Sequence, residues 1–152
     1  MFQDIYNYFV MKKIIFVCHG NICRSVAAEY IMKSLCDNQF EIISRATSYE
    51  EIGNDIYPPM KRELLRNNIP FQRHYAQRID YQDFESSDYI FYMDQENIYS
   101  LKRMFGDSDK ILPIYKWTPS INEIEDPWYT DRFNVVVRQI TTCVKDILKN
   151  ID

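Results

Sequence analysis

The first strong pattern along the chain is Lys13-Ile14-Ile15-Phe16-Val17, a continuous apolar and β-branched run that stops abruptly at Cys18-His19-Gly20. Such a run suits a parallel strand buried on both faces better than a half-exposed one. From Arg24 to Cys36 the spacing changes, and Val26, Ala27, Tyr30, Ile31 and Leu35 recur at helical intervals. Strand, tight loop and helix form the first half of a β-α-β unit. Phe40-Glu41-Ile42-Ile43-Ser44 predicts the second strand. After a loop through Gly53, Pro58-Pro59 opens a helix carrying Met60, Leu64 and Leu65, since proline fits a first helical turn. Asp88-Tyr89-Ile90-Phe91-Tyr92-Met93 predicts a third strand, with Asp94 capping a helix that bears Ile98, Leu101 and Phe105. Ile111-Leu112-Pro113-Ile114 predicts a short fourth strand, whose proline belongs at a sheet edge or strand end. Lys116 to Thr130 reads as irregular. Phe133, Val136, Val137, Ile140, Val144, Ile147 and Leu148 then form the apolar stripe of a last helix. This alternation predicts a single doubly wound α/β domain: a four-stranded parallel sheet with helices on both faces.

Composition narrows the picture. The chain has 152 residues, 46% hydrophobic and 26% charged, which fits one soluble domain with one core. A net charge of −4 gives no broad pull toward nucleic acid or an anionic membrane, so any bound anion must be held by a local site. No apolar run approaches the ~20 residues of a membrane span. Met1–Val10 is apolar and aromatic, but it carries Asp4 and lacks a basic n-region, so it does not read as a signal peptide. Met11 stands directly before Lys12-Lys13, which makes residues 1–11 an N-terminal extension or alternative start and 12–152 the domain. Four cysteines in a chain of this length do not make a secreted disulfide scaffold, and the expected compartment is a reducing cytoplasm. Cys18 and Cys23 lie five apart, no Cys-x-x-Cys pair exists, and His19 and His74 complete no zinc pattern. Neither metal nor cofactor is expected, and a monomer is the default state.

The chemistry concentrates in Cys18-His19-Gly20-Asn21-Ile22-Cys23-Arg24-Ser25. In parallel α/β sheets, ligands sit beyond the carboxyl ends of strands, beside helix N-termini, and Cys18 occupies that point. Gly20 and Asn21 supply the backbone freedom for a turn that faces successive N–H groups inward as an anion nest, backed by the positive helix end. Arg24 can grip two phosphate oxygens with its planar fork. A cysteine in that field is favoured as the nucleophilic thiolate, and the Ser25 hydroxyl can donate to it as a leaving group. Cys-x5-Arg-Ser thus joins nucleophile, oxyanion cradle and charge clamp in a phosphate-binding loop directly after the first strand. An inert core cysteine beside a surface arginine would not call for the whole nest.

With these residues in place, the sequence resembles the low-molecular-weight protein tyrosine phosphatases from about Lys12 to Lys149. The resemblance rests on Val17 through Ser25 near the start and on Glu125-Asp126-Pro127-Trp128-Tyr129 near the end. Weaker matches lie between, at Ser44-Arg45-Ala46-Thr47-Ser48, Ile52-Gly53-Asn54, Ile69-Pro70, His74-Tyr75-Ala76-Gln77-Arg78, Asp88-Tyr89-Ile90 and Met93-Asp94. It implies that Cys18 takes the phosphoryl group, that Arg24 and the amides of His19 to Ser25 bind its oxygens, and that Asp126 protonates the departing phenolate. It also implies a supporting hydrogen-bond network of Asn21, Ser25, Ser44 and His74, and a redox pair of Cys18 and Cys23. The implied partner is a phosphotyrosine protein or peptide, with phosphate as product.

Trp128 and Tyr129 are expected to wall the aryl ring, Trp128 standing where many members have tyrosine. Tyr49 and Glu50 are expected opposite, with the aromatic one place earlier than the usual position, which holds Glu50. The acidic pair Glu50-Glu51 would disfavour acidic peptides. Pro58-Pro59 replaces the family's common Asp-x-Arg. Other chemistries share the fold. Thioredoxin-coupled arsenate reduction needs relay cysteines, and none lies between Asp37 and Thr142. Arginine phosphatases carry threonine where this chain has Ile22, and a non-enzymatic phosphate-binding module would be expected to lose Cys18 or Asp126.

Overall fold

The apolar run that opens the chain becomes the centre of the sheet. In the computed structural model, which describes residues 11–151, β1 (Lys12–Cys18) pairs in parallel with β2 (Phe40–Ala46) and β3 (Tyr89–Tyr92). β4 (Ile111–Pro113) completes the all-parallel order β2-β1-β3-β4, with Pro113 at the end of an edge strand as its chemistry requires. Residues 1–10, which carry nearly all of the expected extension, lie outside the described residues.

The uninterrupted character of β1 follows from having a core on each face. Ile14, Phe16 and Cys18 point to one side, where α1 (Arg24–Leu35) and the long last helix, α6 (Phe133–Asn150), supply Val26, Ile31, Val136, Ile140 and Val144. Phe16 stacks there on Phe91 of β3 at 5.8 Å between centroids. Ile15 and Val17 point to the other side, against Ile90, Ile79 and Leu101. The helices of that second face are α3 (Tyr81–Ser86) and α4 (Gln95–Phe105). The remaining helices are α2 (Pro58–Arg66) and the single turn α5 (Pro127–Thr130).

Three details depart from the sequence reading. Leu35 is exposed at the end of α1, while Ala28 and Met32 fill the buried face instead. The helix α3 was not foreseen: six residues carry no periodic signal, and its start is written in the reciprocal Asp80–Asp83 capping box. The irregular stretch before α6 likewise contains α5, capped by Asp126. No helix among the described residues is long and apolar enough to cross a membrane.

Register decides where the site forms. Cys18 pairs with Ala46 and Val17 with Tyr92, so the carboxyl ends of β1, β2 and β3 finish at one level. The segments leaving them, from Cys18, Thr47 and Met93, therefore converge at a single sheet edge.

Candidate active site

The eight residues from Cys18 to Ser25 curl around one sulfur atom. The backbone N–H groups of Asn21 and Ser25 point at Cys18 Sγ from 3.3 and 3.4 Å, and Ser25 Oγ lies 3.1 Å away. Asn21 Nδ2 donates to Ser25 Oγ at 2.8 Å, which leaves the hydroxyl hydrogen of Ser25 free to point at the sulfur. Three donors are thus directed at one buried sulfur, only 3% exposed as a residue.

The turn is made by Asn21, which holds φ 62°, and not by Gly20, whose φ is not positive. Gly20 serves a different need. A Cβ there would meet Glu51 Cγ at 3.3 Å, so its bare backbone lets the loop after β2 come close. Asn21 is fixed at every polar atom: Gln77 N–H donates to Oδ1 at 3.1 Å, and His74 Nε2 stands 2.6 Å from its carbonyl. Because a carbonyl only accepts, His74 carries its proton on Nε2. Burial lowers the pKa of this ring, against the Asn21 hydrogen bond and the carboxylates of Glu29 and Asp55, which raise it.

His74 is anchored in turn by Asp55, whose Oδ1 accepts from the His74 N–H at 2.9 Å and the Ile56 N–H at 2.7 Å. Burial disfavours the Asp55 carboxylate. Hydrogen bonds from Lys61, the two amides and Arg73 outweigh it and leave its pKa well below the ordinary 3.8. A carboxylate lowered in the folded state stabilises the fold above its unfolded pKa, and that contribution disappears as pH falls. Asp55→Ala is therefore expected to cost about 2 kcal/mol at pH 7. Urea unfolding at pH 7 and pH 3 checks this, since the gap to wild type must shrink at pH 3.

Arg24, 2% exposed, reaches the site from the start of α1. Its Nη1 donates to Asp94 Oδ2 at 2.7 Å and to the Ile124 carbonyl at 2.9 Å, and its Nη2 stands 3.6 Å from Asp126 Oδ2. Burial alone would lower the guanidinium pKa, but Cys18, Asp94 and Asp126 raise it overall. Asp94 is aimed by its own cap: Oδ1 accepts from Asn97 N–H while Asn97 Oδ1 accepts from the Met93 and Asp94 amides.

Asp126 caps α5, its Oδ1 accepting from Trp128 N–H at 3.0 Å. The segment before it is strapped down, with Ile124 N–H donating to the Met93 carbonyl and Glu125 paired to Arg132. One pocket results, lined by Cys18, His19, Gly20, Ile22, Cys23 and Arg24 at its base and by Glu50, Glu51, Asp126, Trp128 and Tyr129 at its walls. Asn21 and Ser25 lie beneath it, fully buried.

Two expectations, those for Tyr49 and Ser44, need correction. Tyr49 does not line the pocket; it is 69% exposed and its ring lies under the Arg78 guanidinium, 4.4 Å away. Glu51 takes the wall position beside Glu50 instead. Ser44 does not reach the loop: its hydroxyl donates to Glu29 on α1 at 2.6 Å. The His19 side chain turns outward, Nε2 at 3.0 Å from Glu50 and Nδ1 at 3.7 Å from Glu96. Cys23 is a free, buried thiol whose pKa is raised far above its ordinary value by burial, then by Cys18 and Asp126, with Arg24 opposing. Asp94, Asp55 and the Ile124 carbonyl were missed. Only Asp94 left a signal, as an acidic residue ending the strand next to β1 at the ligand-binding edge.

Comparison with known proteins agrees with this geometry. Residues 13–152 match the family model described as low molecular weight phosphotyrosine protein phosphatase. The protein of that name from Gallus gallus is 35% identical over 91% of this chain and 95% of its own length. Low molecular weight protein-tyrosine-phosphatase YfkJ of Bacillus subtilis is 33% identical over 93% of this chain and 96% of its own. The crystal structure of YfkJ superposes with a TM-score of 0.88, covering 93% of this chain and 94% of that one. The structure of SP-PTP from Streptococcus pyogenes, 36% identical, superposes with a TM-score of 0.86 over 93% of this chain and 94% of that one.

Proposed function

The chain belongs to the low molecular weight phosphotyrosine protein phosphatase family, a family of phosphoric monoester hydrolases, and on that footing we propose how its own residues divide the reaction. Cys18 Sγ attacks the phosphorus of an aryl phosphate. The guanidinium of Arg24 and the amides of the loop hold the equatorial oxygens, where charge gathers in the transition state. Asp126 gives its proton to the departing phenolate, and a cysteinyl phosphate remains. Water then attacks this intermediate with Asp126 taking its proton, and the Ser25 hydroxyl stabilises Cys18 as it leaves. The observation that carries the reading is the convergence of Cys18, Arg24 and Asp126 on one pocket, with Arg24 Nη2 only 3.6 Å from Asp126 Oδ2.

The walls suggest the substrate. Trp128 and Tyr129 offer flat apolar faces to an aryl ring, and Glu50 with Glu51 disfavours acidic residues next to it. Cys23 serves as the resolving thiol: a sulfenic acid formed on Cys18 by peroxide condenses with it, giving a disulfide and water. Residues 12–152 form the catalytic domain.

Asp126→Ala tests the assignment. A phenolate as basic as that of tyrosine needs protonation to leave, whereas p-nitrophenolate does not. The variant is expected to lose on the order of 10²- to 10³-fold in kcat/KM, which reports the step that releases the leaving group, on phosphotyrosine and far less on p-nitrophenyl phosphate. An unchanged kcat/KM on phosphotyrosine would remove Asp126 from the role. Phosphoarginine and phosphoserine peptides, assayed in parallel, are expected to be poor substrates.

A further inference from the structure

The helix α2 opens differently from the two helices that follow it. α3 and α4 both begin with reciprocal capping boxes, whereas α2 begins at Tyr57, whose side chain caps nothing. That side chain is committed elsewhere. The Tyr57 ring packs against Trp128 with centroids 4.7 Å apart at a tilt of 47°, and against Phe133 at 6.0 Å. Its backbone N–H donates to the carbonyl of Ile22, inside the phosphate loop, at 2.9 Å. Trp128 is 53% exposed, lines the pocket, and donates its own N–H to Asp126 Oδ1. One half-buried residue therefore touches the phosphate half of the site with its backbone and the acid half with its ring.

The acid half needs such a support. α5 is a single four-residue turn, too short to hold itself, and its cap and its first amides bind one another. The strap before it, from Ile124 to Met93 and Arg24, fixes only the entry to the turn. Phe133, at the exit, leans on the same Tyr57 ring. Take the ring away and Trp128 loses the only aromatic face that backs it among the described residues.

We propose that Tyr57 is a positioning residue for proton transfer: its ring holds the α5 turn so that the Asp126 carboxyl stands at a fixed distance from the phosphate loop and faces the leaving oxygen. This rests on Asp126 being the general acid. Tyr57 touches no reacting atom and acts through Trp128. Its ring, not its hydroxyl, does this.

The test compares kcat/KM on phenyl phosphate, whose leaving group needs a proton, with kcat/KM on p-nitrophenyl phosphate, whose leaving group does not, because kcat/KM reports leaving-group release and not the later hydrolysis common to both. Because both are measured on one preparation, their ratio is independent of the fraction folded. Tyr57→Phe is expected to match wild type within about twofold on both substrates, and Tyr57→Leu, which keeps apolar volume without a flat face, to lose about tenfold on phenyl phosphate and about twofold on p-nitrophenyl phosphate. In an Asp126→Ala background the Leu substitution should cost nothing further on either substrate, because a residue acting through Asp126 has nothing left to position. Equal losses on both substrates, or a persistent loss in that background, would overturn the proposal. If Asp126→Ala alone shows no leaving-group selectivity, the acid assignment itself fails and the proposal with it. That outcome is distinct from a failure of Tyr57 alone.

Discussion

Cys18→Ser is expected to stop turnover, by at least about 10⁴-fold in kcat on p-nitrophenyl phosphate, while the protein stays folded and still binds phosphate. The argument is chemical before it is structural. An oxygen at this position meets the same three donors, from Asn21 N–H, Ser25 N–H and Ser25 Oγ, so the cradle has no reason to rearrange. A serine hydroxyl in that place is neutral, and none of the three groups directed at it is a base that could take its proton. It can neither attack at a useful rate nor leave from a phosphate ester easily. A neutral hydroxyl adds no negative charge beneath the anion site, so phosphate affinity should equal that of wild type or exceed it. Steady-state assays with the reduced protein and phosphate titration by calorimetry check both halves. Turnover within tenfold of wild type would place the nucleophile elsewhere.

The second large effect belongs to Arg24, where two consequences of one substitution must be separated. Arg24→Ala removes the proposed clamp on the phosphate and also strands the Asp94 carboxylate, now paired at 2.7 Å. Removing one partner of a buried pair costs about 3–5 kcal/mol, a large part of the ~5–15 kcal/mol that holds a domain folded. Poor activity from that variant would therefore be ambiguous. Arg24→Lys keeps a cation for Asp94 but gives up the fork, so it cannot serve Asp94, the Ile124 carbonyl and a phosphate together. Its kcat is expected to fall about a thousandfold with a melting temperature close to wild type. A loss below tenfold would show that charge alone suffices and that bidentate geometry contributes little.

These two effects concern residues six apart in the chain, and that proximity is why the phosphate half of the site was legible in the sequence. A buried strand, a loop with few conformational choices and a helix start constrain one another within about a dozen residues. The stripe of α6 was equally plain, because one apolar face repeated along most of its length. Elsewhere the governing contacts span long separations and no local rule predicts them. Asp94 reads as a helix cap, which it is, yet the same carboxylate holds Arg24 from seventy residues away. Tyr49 and Glu51 differ by two positions in a loop without periodicity, so nothing local says which of them faces the pocket. Gly20 and Asn21 illustrate the limit at close range. Glycine is the usual occupant of a left-handed turn, but the crowding of Glu51 claimed it and left the turn to asparagine.

The way the two halves of the site are mounted has a consequence for how such an enzyme can change. Cys18 ends a strand flanked by neighbours on both sides, and every group proposed to grip phosphate belongs to one short loop. Asp126, the proposed proton donor, hangs from a single turn and a stack of rings beyond the sheet. Substitutions among those rings can retune which alcohols are released without disturbing how phosphate is held. Leaving-group range and anion affinity are then separable traits, open to independent drift in nature and independent selection in the laboratory.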